Sequence, residues 1–389
     1  EMLRSLVGSE MCIRDRYMNK YLLSFLYIFS FGIILYSCRD EISSDCPEVV
    51  IDMDDIAPGD VSVADVISEV QIIPLEDRKE CMLSHVEKLN VTEHGFIITD
   101  MSADERVLLF GLDGKFKKRI GRMGHGKGEY SSLYDTGFDF NCDTIALSVN
   151  EGILFYNCNG KHIGTRKVEG NAFVKQIAKC PIGYVCSTDY SGSDNLLSVY
   201  NNDFEIQKLL LKAVPNIVCI PPLEGNHMRV NNGKIIYCSY FESSIYSVDC
   251  FNDCYMKRYR FVSKDMLTPE KAQKENCYDK PLDCLYNFYV VNDSIIGDIM
   301  HGNILKRFVL NTKDDTFSVG IYDSGMPLIK DYRDGYYYSI LEQDELLDIV
   351  EKRYGTSNYM DSLIREDFIA RKLVISEKSN YMILKMKKR

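Results

Sequence analysis

The feature that most constrains this chain is a pattern that returns about every 46 residues. RVLLFGLDGKF (106–116) aligns with GILFYNCNGKH (152–162), apolar residue over apolar residue, and Asp113-Gly114-Lys115 falls over Asn159-Gly160-Lys161. Asp-Gly or Asn-Gly between apolar runs predicts a hairpin turn, in which both turn residues must tolerate positive φ. The pattern continues in LLSVYNNDFEI (196–206) and SIYSVDCFNDCYM (244–256). Phe110, Tyr156, Tyr200 and Val248 then become equivalent, at steps of 46, 44 and 48 residues. ILKRFVLNTKDDTF, from residue 304, is a further copy displaced by an insertion. Short strands repeating at this period predict propeller blades, each a four-stranded antiparallel sheet about a central channel.

Between the hairpins lie GFIITD (95–100), TIALSV (144–149), GYVCST (183–188), KIIYCSY (234–240) and SIIGDI (294–299), each predicted to be the inner strand of a blade. Tryptophan is absent, which excludes blades of the Gly-His/Trp-Asp type. Helix is expected in two places only, LTPEKAQKE (267–275) and ILEQDELLDIVEKRYG (340–355), as decorations between strands. The run Tyr336-Tyr337-Tyr338 is expected to alternate between core and solvent. An open ring leaves a sheet edge exposed. DVISEVQIIPLE, ending at Glu76, has no blade of its own, and NYMILKMKK is a lone final strand, so pairing the two would close the ring.

The N-terminal region carries address signals. EMLRSLVGSEMCIRDR resembles a translated sequencing adapter, so residues 1–17 read as an artefact and Met18 as the start. Lys20 followed by YLLSFLYIFSFGIILY (21–36) reads as a secretory signal over residues 18–37. That run is shorter than the ~20 residues needed to span hydrocarbon, although an uncleaved anchor helix is the alternative. LYSC resembles the bacterial lipoprotein box, which makes Cys38 the diacylated first residue, held on a membrane by its acyl chains. Arg39-Asp40-Glu41 resembles the signal that sends Bacteroidetes lipoproteins to the outer face of the outer membrane. Residues 38–60 then read as a tether and 61–389 as the propeller.

A net charge of −11, still acidic without residues 1–37, argues against nucleic acid, whose affinity comes largely from phosphate neutralisation. Of the 14 cysteines none lies in paired zinc knuckles. Cys250 with Cys254, and Cys180 with Cys186, are candidate cross-strand disulfides, and buried small apolar side chains are the alternative.

GRMGHGKGEY (121–130) lacks the hydroxyl, the preceding buried parallel strand and the following helix of a phosphate loop. Its four glycines supply backbone freedom for a connection between blades. Arg122, His125, Lys127 and Glu129, between those glycines, are candidate contacts to an anionic or polar ligand on one rim. No catalytic residue is identified: the six histidines form no H-E-x-x-H pair, and no G-x-S-x-G elbow precedes a helix.

The order IIPLE, FGLDGKF, IGRMGHGKGEY, FESSIYSVD and SNYMILKMK is similar to that of the six-bladed, NHL-like β-propeller lipoproteins of Bacteroidetes, over about residues 61–387. That family commonly carries proline where Lys127 stands. The resemblance implies an all-β, six-bladed β-propeller at the cell envelope. That family has no agreed biochemical activity; with no catalytic motif located, the expectation is a non-catalytic module without a cofactor, binding a glycan, a peptide or an envelope protein, as in surface nutrient uptake. Some propellers of similar architecture are lactonases or lyases with a divalent ion in the channel. A metal-dependent enzyme holding calcium or magnesium there is therefore the alternative.

Overall fold

A computed structural model describes residues 46–55, 66–139, 143–169, 174–188, 195–217, 227–231, 234–274, 282–321, 327–351, 359–375 and 379–389. The expected adapter, secretory signal and Cys38 lie outside the described residues.

Six antiparallel sheets stand in a ring, a six-bladed β-propeller. Blade 1 is β3 (Val86–Thr92), β4 (Gly95–Asp100), β5 (Arg106–Phe110) and β6 (Phe116–Ile120). Blade 2 is β7 (Leu133–Asp139), β8 (Thr144–Val149), β9 (Gly152–Asn157) and β10 (His162–Arg166). Blade 3 is β11 (Gln176–Cys180), β12 (Gly183–Ser187), β13 (Asn195–Tyr200) and β14 (Ile206–Lys212). Blade 4 is β15 (Met228–Asn231), β16 (Lys234–Ser239), β17 (Ser244–Asp249) and β18 (Tyr255–Val262). Blade 5 is β19 (Cys284–Val291), β20 (Ser294–His301), β21 (Ile304–Asn311) and β22 (Phe317–Ile321). Blade 6 is built from both ends of the propeller. β23 (Ile329–Arg333) and β24 (Tyr336–Leu341) are followed by β25 (Met382–Lys388), and β2 (Ile67–Pro74) pairs antiparallel with β25 as the outer strand. This is the closure expected from the lone terminal strands.

The repeat marks one structural position. Phe110, Tyr156, Tyr200 and Val248 all lie on the third strand of their blades, opposite Phe96, Ile145, Tyr184 and Ile235. Each partner is the second residue of its strand, and all eight are buried. The same geometry recurs in Leu310 opposite Ile295 and Met386 opposite Tyr337.

Several expectations need correction. The strands taken as innermost are the second of each blade; the first strands β3, β7, β11, β15, β19 and β23 line the axis and pack on one another. Second strands look like inner strands because they have a neighbour on each side and a blade over each face, and β4 and β8 are buried along their whole length. Tyr337 and Tyr338 do not alternate between core and solvent. Both are buried, in the clusters on opposite faces of blade 6. In the turns after β5 and β9 only Gly114 (φ 81°) and Gly160 (φ 70°) have positive φ. The Gly111 N–H bonds the Lys115 carbonyl and the Gly114 N–H bonds that of Gly111, so these are three-residue loops with one left-handed residue.

The helices also differ from expectation. The first is only Pro269–Ala272, capped by Thr268, and the second is Gln343–Glu351. A third, Tyr359–Ala370, was not expected. It buries Met360 and Ile364 against blade 6. No described helix is long and apolar enough to cross a membrane. Inside the stretch read as a tether, β1 (Glu48–Asp52) adds to blade 4 parallel to β18. The described cysteines are free. Cys180 lies opposite Gly183 and Cys186 opposite Ile177, too far along the hairpin for a bond between them.

Candidate binding rim

Antiparallel order sends the connections of each blade alternately to two rims. Links from first to second and from third to fourth strands share one rim, and none is longer than five residues (111–115, for example). Links from second to third strands and from blade to blade share the other. Among the described residues, this rim receives 121–132, 213–217, 263–274, 282–283 and the helix-bearing segments 342–351, 359–375 and 379–381. Elaboration is concentrated there, so it is the side with material to recognise something.

The 121–130 loop leaves blade 1 at this rim and folds against blade 2, with Gly128 beside His162 at the start of β10. Gly124 N–H bonds the Tyr130 carbonyl and Tyr130 N–H bonds that of Arg122, folding the loop back on itself. Tyr130 is fully buried, and its hydroxyl donates to the Glu105 carbonyl at 2.7 Å. The Tyr156 hydroxyl donates to the Gly128 carbonyl. Burial pushes the Tyr156 phenol up to about 12, so it stays a donor at any physiological pH. Gly121 (φ 65°) and Gly128 (φ 75°) adopt left-handed backbone. A Cβ on Gly121 would lie 2.8 Å from the Tyr156 hydroxyl, and one on Gly128 would lie 2.8 Å from His162 Cβ.

The structure places the four candidate residues in different roles. Glu129 turns inward: its Oε2 accepts the Gly126 N–H at 2.8 Å and its Oε1 accepts Arg122 Nε at 2.6 Å. The Gly126 amide first, then Arg122, hold its carboxyl below the usual range. Arg122 is anchored by this carboxylate and remains largely exposed, while His125 and Lys127 stand in solvent. The loop thus carries Arg122, His125 and Lys127 outward, with Glu129 as its internal fastener.

A second cluster on this rim joins blades 4 and 5, and nothing local in the sequence signals it. Asp283 Oδ2 accepts Ser263 Oγ at 2.6 Å and lies 2.8 Å from His301 Nδ1, while Oδ1 accepts the Gly302 N–H at 2.8 Å. The His301 Nε2 lies 3.7 Å from Asp54 Oδ1. Aspartate stands between serine and histidine here. A hydrolase needs histidine next to the serine to take its proton, so this cluster fastens the insertion and does not activate a nucleophile.

The channel carries charge in pairs. Lys88 Nζ bonds both oxygens of Asp135, at 2.8 and 3.1 Å, and Asp135 Oδ2 also accepts the Ile177 N–H at 2.9 Å. Asp331 Oδ2 accepts the Val91 N–H at 2.6 Å. Desolvation raises its carboxyl against the pull of that amide, Arg229 and Lys88. His227 is driven down to about 3 by desolvation, then by Lys175 and Arg229, and is neutral. Calcium or magnesium asks for six or more oxygen ligands. The two channel carboxylates, Asp135 and Asp331, are already set against Lys88 and Arg229. The described residues that do approach a ligand set, Glu93, His94 and Asp143, sit on the short-turn rim. There His94 Nε2 lies 3.1 Å from Asp143 and 3.6 Å from Glu93. A cleft of about 320 Å³ between blades 2 and 3 also opens on that side, with Phe155 and Tyr184 in its wall and Lys179 and Arg166 along it. Lys179 is held by Asn202 at 2.7 Å and lies 4.3 Å from the Tyr184 ring centre.

Residues 48–387 match the profile of a family described as a domain of unknown function, DUF4934. No curated protein matches the sequence. Among solved structures, a Bacteroides fragilis protein described as exported is similar, with TM-score 0.68 and 16% identity over 88% of this chain and 100% of that one. A member of the DUF4221 family from Bacteroides vulgatus is similar with TM-score 0.52 and 10% identity, over 83% and 97%. At these identities the likeness concerns the fold.

Proposed function

The chain belongs to the DUF4934 family, and from that premise we propose that it is an exported, lipid-anchored propeller that binds a ligand or partner and performs no chemistry of its own. The observation that carries this reading is the unequal length of the connections on the two rims, one trimmed to tight turns and the other elaborated. Arg122, His125 and Lys127, mounted by Glu129, are its proposed contacts, and they suit an anionic or hydrogen-bonding group such as a glycan, a peptide or an envelope protein. Export is supported by the described nature of the B. fragilis protein and by the signal read at residues 18–37. Anchoring at Cys38, facing outward on the outer membrane, is the finer part of the proposal.

A photo-crosslinking amino acid at His125 tests the rim in the native envelope, with the same probe at Leu112, on the short-turn rim, as control. Adducts from position 125 and none from 112 are expected. Adducts from 112 alone would assign recognition to the wrong rim and end the proposal.

A further inference from the structure

β1 fixes the direction from which the preceding chain reaches the propeller. It runs parallel to β18, pairing Glu48 with Arg258 and Asp52 with Val262. Its N-terminal end therefore points to the short-turn rim, at the blade 4 turn between β17 and β18. Cys46 packs on the buried cluster that includes Cys250, Cys254 and Met256 of that turn. Cys46 lies eight residues after Cys38. Eight residues span at most about 28 Å at full extension, roughly 3.5 Å each. An acyl anchor at Cys38 thus holds this edge of blade 4 close to the bilayer.

Three large apolar side chains are exposed at that edge, beside the exposed Asn252 and Asp253 of the same turn. Phe251, in the blade 4 turn, is 67% exposed, Tyr255, at the start of β18, is 51% exposed, and Ile182 in the neighbouring blade 3 turn is 48% exposed. The two turns adjoin, because Cys180 of the blade 3 hairpin and Cys250 and Cys254 of the blade 4 turn pack in one buried cluster. The corresponding turns of blades 5 and 6 present Asn292-Asp293, Lys313-Asp314-Asp315 and Asp334-Gly335. On the other rim, exposed Met123, Ile304 and Ile369 stand on separate connections. Aromatic side chains with an apolar body and a polar tip favour the headgroup level of a bilayer.

We propose that Ile182, Phe251 and Tyr255 are the membrane-facing surface of the anchored protein, seated among the lipid headgroups, with the elaborated rim turned away. The inference rests on the reading of Cys38 as a lipid anchor. It gives that reading an orientation, and explains why recognition elements gather on one side: only that side faces soluble partners. The patch is small, so it orients a protein that the acyl chains already hold and does not recruit an unlipidated chain.

The absence of tryptophan makes a direct test available. Phe251→Trp in the full lipid-anchored chain gives a single reporter, and Ile304→Trp gives its counterpart on the opposite rim. Both are reconstituted in phosphatidylcholine–phosphatidylethanolamine vesicles, with and without brominated acyl chains, after checking that their thermal unfolding matches the parent. Tyr255→Trp replaces the first reporter if Phe251→Trp does not fold. The expected result is a blue-shifted emission at position 251, quenched about twofold by bromine, and an unshifted, unquenched signal at 304. Protein that floats with the vesicles while position 251 stays unquenched overturns the orientation and leaves the anchor standing. Protein that does not float at all overturns the anchor, and the orientation with it. A shift at 251 that follows protein concentration instead of lipid assigns the patch to a second copy of the chain, which also overturns the proposal.

Discussion

Phe204 occupies the position that glycine fills in the equivalent turns of the first two blades. Its φ is 63°, beside 81° for Gly114 and 70° for Gly160. A left-handed non-glycine residue costs roughly 1–2 kcal/mol. The ring offsets that: it is fully buried and stacks on Tyr184 at 4.8 Å between centroids. Emptying a core site of phenylalanine costs about 3–5 kcal/mol, so relief of backbone strain does not win. Phe204→Gly is expected to lower stability by about 2–3 kcal/mol, read as a lower urea midpoint with an unchanged slope. An unchanged midpoint would mean that strain and burial cancel. Glu129 makes a prediction of pH. Its folded pKa lies below the unfolded value of about 4.3, so the contribution is complete above that value and is lost as pH falls through the folded one. The Gly126 amide should therefore keep its protection from hydrogen exchange at neutral pH and lose it in acid before the blades unfold. In Glu129→Ala it should be unprotected throughout; equal protection in variant and parent would show that the carboxylate does not hold the loop.

Each blade is a sheet standing on edge between two others, so both of its faces are interior. That is why alternation, the usual mark of a half-exposed strand, is missing from β4, β8 and the Tyr337-Tyr338 pair. Two of the six outer strands have their edges covered by described segments. β1 lies along β18, and the helix Tyr359–Ala370 lies along β2, where Asp367 accepts the Ile72 N–H at 2.7 Å and Arg371 donates to the Ile72 carbonyl. With β2 removed, β25 would present an unpaired edge, a template for pairing with other chains. A chain beginning at residue 75 is expected to aggregate, and a synthetic peptide of residues 66–75 added during refolding should restore solubility; a soluble monomer without the peptide would show that closure is dispensable. The sequence displays the third strands of blades 1 to 5 because a tight turn follows each one and a buried apolar side chain precedes it, as at Tyr156 before Asn157–Lys161. First strands are hidden from it. Bulges at 86/88, 133/135 and 285/287 break their period, and polar residues such as Lys88, Asp135 and Asn287 interrupt their apolar runs. The helix Tyr359–Ala370 has readable spacing at Met360, Leu363, Ile364 and Phe368, but its partner strand is nearly three hundred residues away. For the same reason the 121–130 loop could be located from its glycines, while the inward turn of Glu129 could not.

At the scale of the ring, what must be explained is why six locally folded sheets hold one arrangement. Apolar packing between blades is extensive but non-directional. Direction comes from polar links across the axis. Lys88 of blade 1 reaches Asp135 of blade 2, which accepts Ile177 N–H of blade 3. Thr99 of blade 1 donates to Thr136 of blade 2 at 2.8 Å. Asp331 and Arg333 of blade 6 bond the Val91 N–H and carbonyl of blade 1, and Arg229 of blade 4 reaches the Lys330 carbonyl of blade 6 at 2.9 Å. Lys88 and Asp135 are each more than nine-tenths buried, so neither charge is solvated if the other goes. Removing one member of such a pair costs about 3–5 kcal/mol, whereas removing both is close to neutral. Asp135→Asn keeps the shape and an acceptor for Ile177 while deleting the charge. It should lose that amount in urea unfolding of residues 46–389, and Lys88→Met added to it should recover most of the loss. If the single variant is as stable as the parent, the pair is not the link between blades 1, 2 and 3. If the double variant is no better than the single, the loss comes from the Ile177 contact and not from a stranded ammonium.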